Sequence, residues 1–520
     1  MKKNNMLKKG LCMAASVTMT VSLLSACSPG NADSPAASAE EKTTPAADNG
    51  NGETTAGESG EPVELTLFLD NMNITDGSFV KTEIERITNT KLNIIQATPD
   101  EMDNKLNIML ASGNIPDIFQ CETTTMEGKL LSSDILLPIN EHWDNYPNIK
   151  NGRDEEIWEL MKYKDGNIYS IGVDGQNPLE IMAYRGDWLE KFNMDVPETL
   201  DEYYEFAKKA AKEDPDGNGI DDTFAFGAYQ PLLFKWMDHI FGAYGVLPNY
   251  WMEVDGKIVD GAVLPGAKDA LVYLNKMYSE GLIDPEFVTD DAYRWQSKVK
   301  SGVFGAGPTK LQIFDKNNWR NYYQPFIQSN PEGKMVYGPV LKGGCDAPVG
   351  ERMDSRRGWV RTFVYKDSPN VDAALRVIDY LMSEEGNLFI MYGKEGEHYK
   401  WEGDKVVRLI DNAKAQELDL EKFYIAQKTL FLHSSDELFD AMEFLKGEGV
   451  ATPNPVDGIF IDELSDIYPD LQDLTVTRFV EMIIGEVPVE TGFDKFVQEW
   501  YAKGGTELEE AINKAYKEWK

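Results

Sequence analysis

Three short apolar runs decide the fold of this chain: VELTLFL at residues 63–69, LNIIQA at 92–97 and IPDIF at 115–119. Their β-branched and aliphatic side chains predict three β-strands. Residues 79–87 predict a helix between the first two strands. Residues 98–113 predict a second helix, because TPDE is a strong helix start and glycine a common stop. Strands and helices that alternate at this spacing indicate an α/β protein with a parallel sheet.

Polar side chains follow the first and third predicted strands. Asp70 and Asn71 end the first strand, and Gln120 and Glu122 follow the third. In open α/β sheets, ligands bind beyond the carboxyl ends of the strands. We therefore expect Asp70 and Gln120 to contact a ligand, with ordinary polar loop residues as the alternative.

The N-terminal region predicts export from the cell. Residues 1–26 have a basic start, an apolar stretch at about residues 11–24 and small residues before Cys27, as in a secretory signal peptide. Leu24-Ser25-Ala26-Cys27 resembles the lipobox of bacterial lipoproteins, which implies acylation of Cys27. Residues 28–62 are mostly Ser, Pro, Ala, Gly, Thr, Asn and Glu with almost no large apolar side chain, so we expect residues 27–62 to form a lipidated Cys and a disordered tether.

Composition limits the possible partners. The chain has 51 basic and 88 acidic side chains, and its net charge of −37 makes nucleic acid a poor partner. A polyanionic ligand would also be repelled at long range, unless a local basic pocket or a bound cation offsets the field. Four His residues, none of them paired at ligand spacing, do not predict a zinc site.

The four cysteines do not form a disulfide framework. Cys12 leaves with the signal peptide and Cys27 is the predicted lipid site, so only Cys121 and Cys345 remain in the folded region. Two cysteines are too few for such a framework, and the sequence leaves their pairing open.

The remaining 458 residues predict more helices and more than one core. Helices are expected at residues 200–212, 265–281, 372–382, 493–502 and 508–519, the first opened by a Thr199/Glu202 capping box. A chain of this length suits two or three core-bearing units.

Residues 214–223, DPDGNGIDDT, have the ligand spacing of an EF-hand loop. The predicted Ca²⁺ ligands are Asp214, Asp216, Asn218, Ile220 (through its carbonyl) and Asp222. The twelfth position is Ala225 rather than the bidentate Glu, so we expect a structural Ca²⁺ and not an opening switch. The alternative is an Asp/Gly-rich turn without metal.

Five segments in order resemble the extracellular solute-binding proteins of family 1. They are KLNIMLASGNIPDIF (105–119), YRGDWLEKFNMDVPETLDEYY (184–204), the DPDGNG loop, EGLIDPEF (280–287) and LMSEEGNLFIMYGKEGEHY (381–399). The resemblance covers residues 63–520. It is strongest to the large lipoproteins of Gram-positive bacteria that serve oligosaccharide importers.

The resemblance implies a two-lobed clamshell of the periplasmic-binding-protein type II fold. By analogy, the first lobe holds residues 63–180 and 336–400, and the second holds 181–335 and 401–520. The implied function is capture of a carbohydrate, an oligosaccharide, between the lobes. Two permease subunits and an ATPase are the implied partners of a monomer that is lipid-anchored on the outer face of the cell membrane.

Candidate ligand contacts are the aromatic and polar residues of irregular stretches. Sugars offer apolar ring faces to aromatic side chains and hydroxyl groups to polar ones. The aromatic candidates are Trp236, Trp251, Trp295, Trp319 and Trp359. Arg357 and Glu395 are the polar candidates, with a surface salt bridge as the alternative for the arginine.

Other functions remain open at this point. A secreted carbohydrate-active enzyme needs a pair of carboxylates, and this acidic chain offers many. The chain has neither a G-x-S-x-G nucleophile elbow nor an H-E-x-x-H helix, and we expect no enzymatic activity. A peptide receptor of the same fold and a glycan-binding adhesin are further alternatives, and the sequence does not identify the sugar.

Overall fold

The chain folds into helices and strands, and the strands form five sheets among the described residues. A computed structural model describes residues 60–519, apart from Asn71, 174–179, 230–232, 317–321, 354–356, Trp359, Asp404, 427–434, Lys446 and 448–449. The strands are β1 Val63–Asp70, β2 Thr90–Ala97, β3 Ile118–Cys121, β4 Ser170–Val173, β5 Glu180–Arg185, β6 Trp251–Val254, β7 Lys257–Asp260, β8 Ala306–Lys310, β9 Met335–Tyr337, β10 Glu351–Arg352, β11 Val360–Val364, β12 Tyr399–Glu402, β13 Lys405–Arg408 and β14 Ala451–Thr452.

The α-helices take up a larger part of the chain than the strands. They are α1 Phe79–Thr88, α2 Pro99–Ser112, α3 Thr124–Leu131, α4 Pro147–Asn151, α5 Glu155–Met161, α6 Gly186–Phe192, α7 Leu200–Lys212, α8 Asp238–Ala243, α9 Pro265–Ser279, α10 Ala292–Ser301, α11 Tyr323–Ser329, α12 Val371–Met382, α13 Glu384–Tyr392, α14 Asn412–Glu417, α15 Asp436–Leu445, α16 Asp462–Asp466, α17 Tyr468–Ile483, α18 Val489–Trp500 and α19 Thr506–Trp519. Among the described helices, none is long and apolar enough to cross a membrane.

The first sheet has five strands in the order β2-β1-β3-β11-β4. β1 pairs in parallel with both β2 and β3, which confirms the predicted parallel sheet of the N-terminal region. β11 enters from far along the chain and pairs antiparallel with β3 and β4. The sheet is therefore mixed, and its centre combines two distant parts of the sequence.

Local helix signals agree with the structure in most details. Thr199 accepts from the Glu202 amide and Glu202 accepts from the Thr199 amide, which confirms the capping box of α7. Gly113 closes α2 in the left-handed conformation at φ 75°. Thr98 is the N-cap residue of α2 and Pro99 its first residue, as predicted, but the Thr98 side chain forms no cap hydrogen bond.

The second sheet is antiparallel and has the order β8-β5-β9. Beside it lies the most extensive apolar cluster among the described residues, which includes Trp188, Phe206, Phe241 and Trp500. Two other clusters cover opposite faces of the first sheet, one with Leu67 and the other with Phe68. The first and second sheets thus pack against separate apolar clusters.

Apolar residues 415–426 belong to the cluster of the first sheet that contains Leu67. Residues 456–516 contribute instead to the cluster beside the second sheet. Cys121 is buried on β3 and Cys345 is exposed, and both thiols are free. The two cysteines therefore do not pair with each other.

Candidate functional site

A cavity of about 440 Å³ lies between the first sheet's helix α3 and the segment that leads into α16 and α17. This volume is within the range of about 300–1,000 Å³ that is usual for small-molecule sites. One side is formed by α3, the loop after α5 and Arg357, and the other by residues 454–461, Trp251 and Tyr468. Two predicted ligand contacts, Trp251 and Arg357, line the cavity together.

Arg357 forms the floor of the cavity at the base of the α3 side, and it belongs to a buried triad of two arginines and one glutamate. Arg357 donates to both carboxylate oxygens of Glu127, and the Arg361 Nε lies 3.2 Å from Glu127 Oε2. All three residues are at most 4% exposed. Burial alone would raise the pKa of Glu127, but the guanidinium groups of Arg357 and Arg361 outweigh it and hold that pKa below its usual range. The triad therefore carries one net positive charge.

Backbone packing places Arg357 at the end of the first sheet. A Cβ atom on Gly172 of β4 would lie 1.5 Å from the Arg357 carbonyl oxygen, so only glycine allows this approach. On the opposite side of the cavity, Gly458 has φ 93° and comes close to the Leu160 carbonyl. The two sides are therefore in contact near the Arg357 side chain.

Aromatic rings form the walls of the cavity. The Phe460 ring lies 6.1 Å from that of Tyr163 between centroids, and the Arg357 guanidinium is 4.6 Å from the Phe460 centroid. The Trp251 ring lies 5.0 Å from that of Tyr468. Flat apolar surfaces beside charged groups are the combination that a sugar ring with hydroxyl groups requires.

Two other predicted contacts, Trp236 and Trp295, meet in a second cluster. Their ring centroids are 4.1 Å apart, and Tyr229 lies 5.4 Å from each of them. Lys310 places its ammonium group 5.8 Å from the Trp236 centroid. Trp236 and Trp295 are almost fully buried in this structure.

A buried carboxylate adjoins this tryptophan cluster. Glu180, at the start of β5, accepts from Lys310 and lies 3.1 Å from the Lys235 ammonium group, both through Oε1. Within the described residues its other oxygen, Oε2, has no hydrogen-bond partner. A buried acceptor without a partner is costly, so it is a candidate for a bond to a ligand hydroxyl.

Asp70 and Gln120 meet at the end of the first sheet. The Asp70 amide donates to Gln120 Oε1 at 3.1 Å. The Gln120 side chain donates to Thr362 Oγ1 and to the Tyr424 carbonyl at 3.0 and 2.6 Å. Gln120 is fully buried, and these bonds brace β1 and β3 against β11. Its contact with a ligand stays a prediction.

The remaining predicted contacts lie apart from the cavity or outside the described residues. Glu395 is exposed on the turn between α13 and β12. Cys27, Trp319 and Trp359 fall outside the residues that the structure describes.

The predicted calcium loop is a tight, exposed turn. Asp214 Oδ1 and Oδ2 accept from the amides of Asn218 and Gly219 at 3.1 and 3.0 Å. The Asn218 side-chain amide donates to Asp216 at 2.9 Å and to Asp222 at 3.1 Å. Partial burial raises the pKa of Asp216, and the carboxylates of Asp214 and Asp222 raise it further. The loop therefore concentrates negative charge around one amide group.

The described residues contain no group of three or more His, Cys, Asp and Glu side chains arranged to hold a metal ion. In this loop, the Asn218 amide nitrogen lies between the carboxylates of Asp216 and Asp222. The donor set of carboxylates, an amide and the Ile220 carbonyl is of the hard-oxygen kind that Ca²⁺ prefers. The chemistry fits calcium, although the side chains are hydrogen-bonded to one another here.

Several residues of the site carried no clear signal in the sequence. Glu127, Lys129 and Tyr163 belong to ordinary helix and loop segments, and only the tertiary fold brings them to Arg357. Glu180 did have a signal, because a lone carboxylate in the apolar run LEIMAY is unusual for a buried strand.

The sequence profile of the bacterial extracellular solute-binding proteins matches residues 72–388. The chain belongs to this family. This solute-binding protein is 26% identical over 460 residues to Lipoprotein LipO of Bacillus subtilis (strain 168), and the match covers 83% of this chain and 88% of the relative. It is 27% identical over 450 residues to the polygalacturonan/rhamnogalacturonan-binding protein YtcQ of the same organism, covering 84% and 87%.

Solved structures support the fold of this solute-binding protein. The alginate-binding protein AlgQ2 without calcium ion matches with a TM-score of 0.69 at 18% identity, covering 88% of this chain and 98% of that one. The Streptococcus pneumoniae substrate-binding protein FusA in complex with kestose also matches with a TM-score of 0.69 at 18% identity, covering 88% and 99%. The fold is the two-lobed α/β clamshell of these proteins.

Proposed function

We propose that this solute-binding protein captures a carbohydrate, in the form of an oligosaccharide, and delivers it to the permease of an ABC importer. The observation that carries the proposal is the cavity between α3 and the 454–461 segment. It combines the aromatic walls of Tyr163, Phe460 and Trp251 with the charged floor at Arg357.

The relatives support a sugar ligand. YtcQ is named for binding polygalacturonan and rhamnogalacturonan, and FusA of Streptococcus pneumoniae is named as a fructooligosaccharide substrate-binding protein. The buried acceptor of Glu180 beside Trp236 and Trp295 supports a second contact region for hydroxyl groups. The protein acts as a binding protein and not as an enzyme under this proposal.

The proposal includes the place of the protein in the cell. Lipoprotein LipO and the extracellular family support a location at the cell surface. Cys27 would carry the lipid, residues 27–62 would form the tether, and the protein would act as a monomer beside two permease subunits and their ATPase. The lobes would comprise residues 63–180 with 336–400 and residues 181–335 with 401–520, except that residues 415–426 would belong to the first lobe, because they pack in the core of the first sheet.

Calcium is part of the same proposal. One related structure is named as AlgQ2 without calcium ion and another as an EF-hand mutant of FusA. We place a structural Ca²⁺ in the loop at residues 214–223, held by Asp214, Asp216, Asn218, Asp222 and the Ile220 carbonyl. The ion would neutralise the clustered carboxylates and hold the turn against α7.

A thermal-shift screen of the purified chain against oligosaccharides and peptides tests the function. Only a ligand that binds the folded state raises the unfolding midpoint. We expect one class of oligosaccharide to raise it by several degrees, with no change in the length of that sugar over hours. Peptides alone raising the midpoint would refute the carbohydrate assignment. Shortening of the sugar would indicate an enzyme.

A further inference from the structure

The lining of the cavity has more cationic than anionic side chains, in contrast to the chain as a whole. The protein as a whole has a net charge of −37. Around the cavity, the described residues include the cations Lys129, Lys164 and Arg357 and the anions Asp457 and Asp466. The excess of positive charge is thus a local property of the cavity, since the net charge of the whole molecule is strongly negative.

The buried floor contributes charge that water cannot screen well. Glu127 neutralises one of its two arginine partners, so the triad with Arg357 and Arg361 keeps one positive charge at almost complete burial. Charges in a medium of low dielectric constant act more strongly than exposed ones. Asp457 offsets this charge in part, since it interacts electrostatically with Arg357.

Two lysines add mobile positive charge at the rim. Lys129 lies in the last turn of α3, two residues after Glu127, and Lys164 lies beside the Tyr163 ring at 5.8 Å from its centroid. Both side chains are exposed, and neither forms an ion pair with any residue that the structure describes. Their ammonium groups are therefore available to an anionic group in the cavity.

The remaining polar groups of the lining suit hydroxyls. Asp457 and Asp466 can accept hydrogen bonds from a sugar ring, and Asn454 can both donate and accept. Tyr163 and Phe460 supply faces for stacking. Cations on one side with hydroxyl acceptors on the other make a lining that matches a sugar unit with one anionic substituent.

We infer that this cavity takes an anionic sugar unit, with Lys129 and Lys164 binding its carboxylate or sulfate and Tyr163 and Phe460 packing against its ring. The inference rests on the proposed carbohydrate function and narrows it to acidic oligosaccharides. At this local site the cations of the lining offset the long-range repulsion from the acidic surface.

Calorimetric titration of the purified chain with pairs of trimers tests the inference. Each pair consists of a hexuronate trimer (galacturonate, mannuronate, guluronate or glucuronate) and its carboxyl-reduced neutral twin of the same linkage. A sulfated galactose trimer distinguishes sulfate from carboxylate. We expect the best acidic trimer to bind at least about tenfold more tightly than its twin, as charge-assisted hydrogen bonds predict.

Matched variants assign the preference to the cavity. The double variant K129Q/K164Q should lose most of the preference for the acidic trimer. K495Q/K514Q, which alters two exposed lysines outside the cavity lining and changes the net charge equally, should keep it. Equal binding of acidic and neutral twins, or an equal loss in both double variants, would overturn the inference and leave the carbohydrate function intact. Binding of no sugar of any class would overturn both.

Discussion

At the scale of single residues, His239 is the clearest case of a side chain whose pKa is set by burial. It is 6% exposed, its Nε2 lies 2.9 Å from the Tyr203 hydroxyl oxygen, and its ring meets that of Phe226 edge-on at 4.8 Å. Burial lowers its pKa from 6.5 to about 3. The ring therefore stays neutral in the folded state well below the pH at which it becomes charged in the unfolded chain.

This difference makes folding stability depend on pH. A base with a depressed pKa in the folded state costs stability as the pH falls below its unfolded pKa of 6.5. The loss is about 1.4 kcal/mol for each pH unit below that value. We predict that His239→Gln removes this part of the acid sensitivity. The free energy of unfolding of wild type should then fall by roughly 2–3 kcal/mol more than that of the variant between pH 6.5 and about pH 4.5.

Urea denaturation at several pH values measures the effect. Gln can still bond to Tyr203, so the variant should fold, with lower stability at neutral pH. The control is His142→Gln, at a half-buried histidine on the short turn before Trp143. A His239→Gln variant that keeps the full acid sensitivity of wild type would show that His239 is not the group responsible.

Residue type was enough to predict some site residues and not others. Trp251 and Arg357 were predicted on chemical grounds, as an aromatic and a cation in or beside irregular segments, and both line the cavity. Lys129 and Phe460 could not be predicted, since nothing in their local sequence separates them from ordinary surface residues. Lys129 and Phe460 become part of the cavity lining only because segments far apart in the sequence meet there.

At the scale of elements, the calcium loop gives a sharp test because all of its predicted ligands lie within residues 214–222. Asp216 accepts from the Asn218 side chain and interacts with the carboxylates of Asp214 and Asp222. Binding of Ca²⁺ to the folded state alone stabilises by about 2.7 kcal/mol at a concentration 100 times the dissociation constant. We predict that Ca²⁺ raises the unfolding midpoint by a few degrees over EDTA, and that Asp216→Asn abolishes the rise.

The matched control lies in the same loop. Asp221 occupies the eighth position, where the EF-hand spacing places no ligand, and its side chain is exposed. Asp221→Asn changes the charge as Asp216→Asn does and should keep the calcium response. Identical midpoints for wild type in Ca²⁺ and EDTA would contradict the site, as would an equal loss in both variants.

Local elements were predictable from the sequence, and their long-range pairing was not. β1, β2 and α7 follow from strand composition and a capping box, because these signals act over a few residues. The antiparallel pairing of β11 with β3 and β4 joins segments about 240 and 190 residues apart, and no local pattern encodes it. The second sheet, built around β5, was missed for the same reason.

At the scale of the whole molecule, the net charge of −37 and the cations of the cavity act over different distances. Screening reduces the range of electrostatic forces from about 30 Å at 10 mM salt to about 10 Å at 100 mM. An acidic sugar first meets the repulsive field of the whole surface and reaches the attractive one only near the cavity. The association rate and the affinity should therefore respond to salt in different ways.

We predict that the association rate constant of an acidic trimer rises several-fold over this range of salt, whereas that of its neutral twin stays constant. The dissociation rate constant of the acidic trimer should rise as well, because screening weakens its contacts with Lys129 and Lys164. Stopped-flow tryptophan fluorescence measures both rates, with Trp251 in the cavity wall as a reporter. An association rate that falls with added salt would mean that the cavity cations steer the ligand from a distance, against the net charge of the molecule.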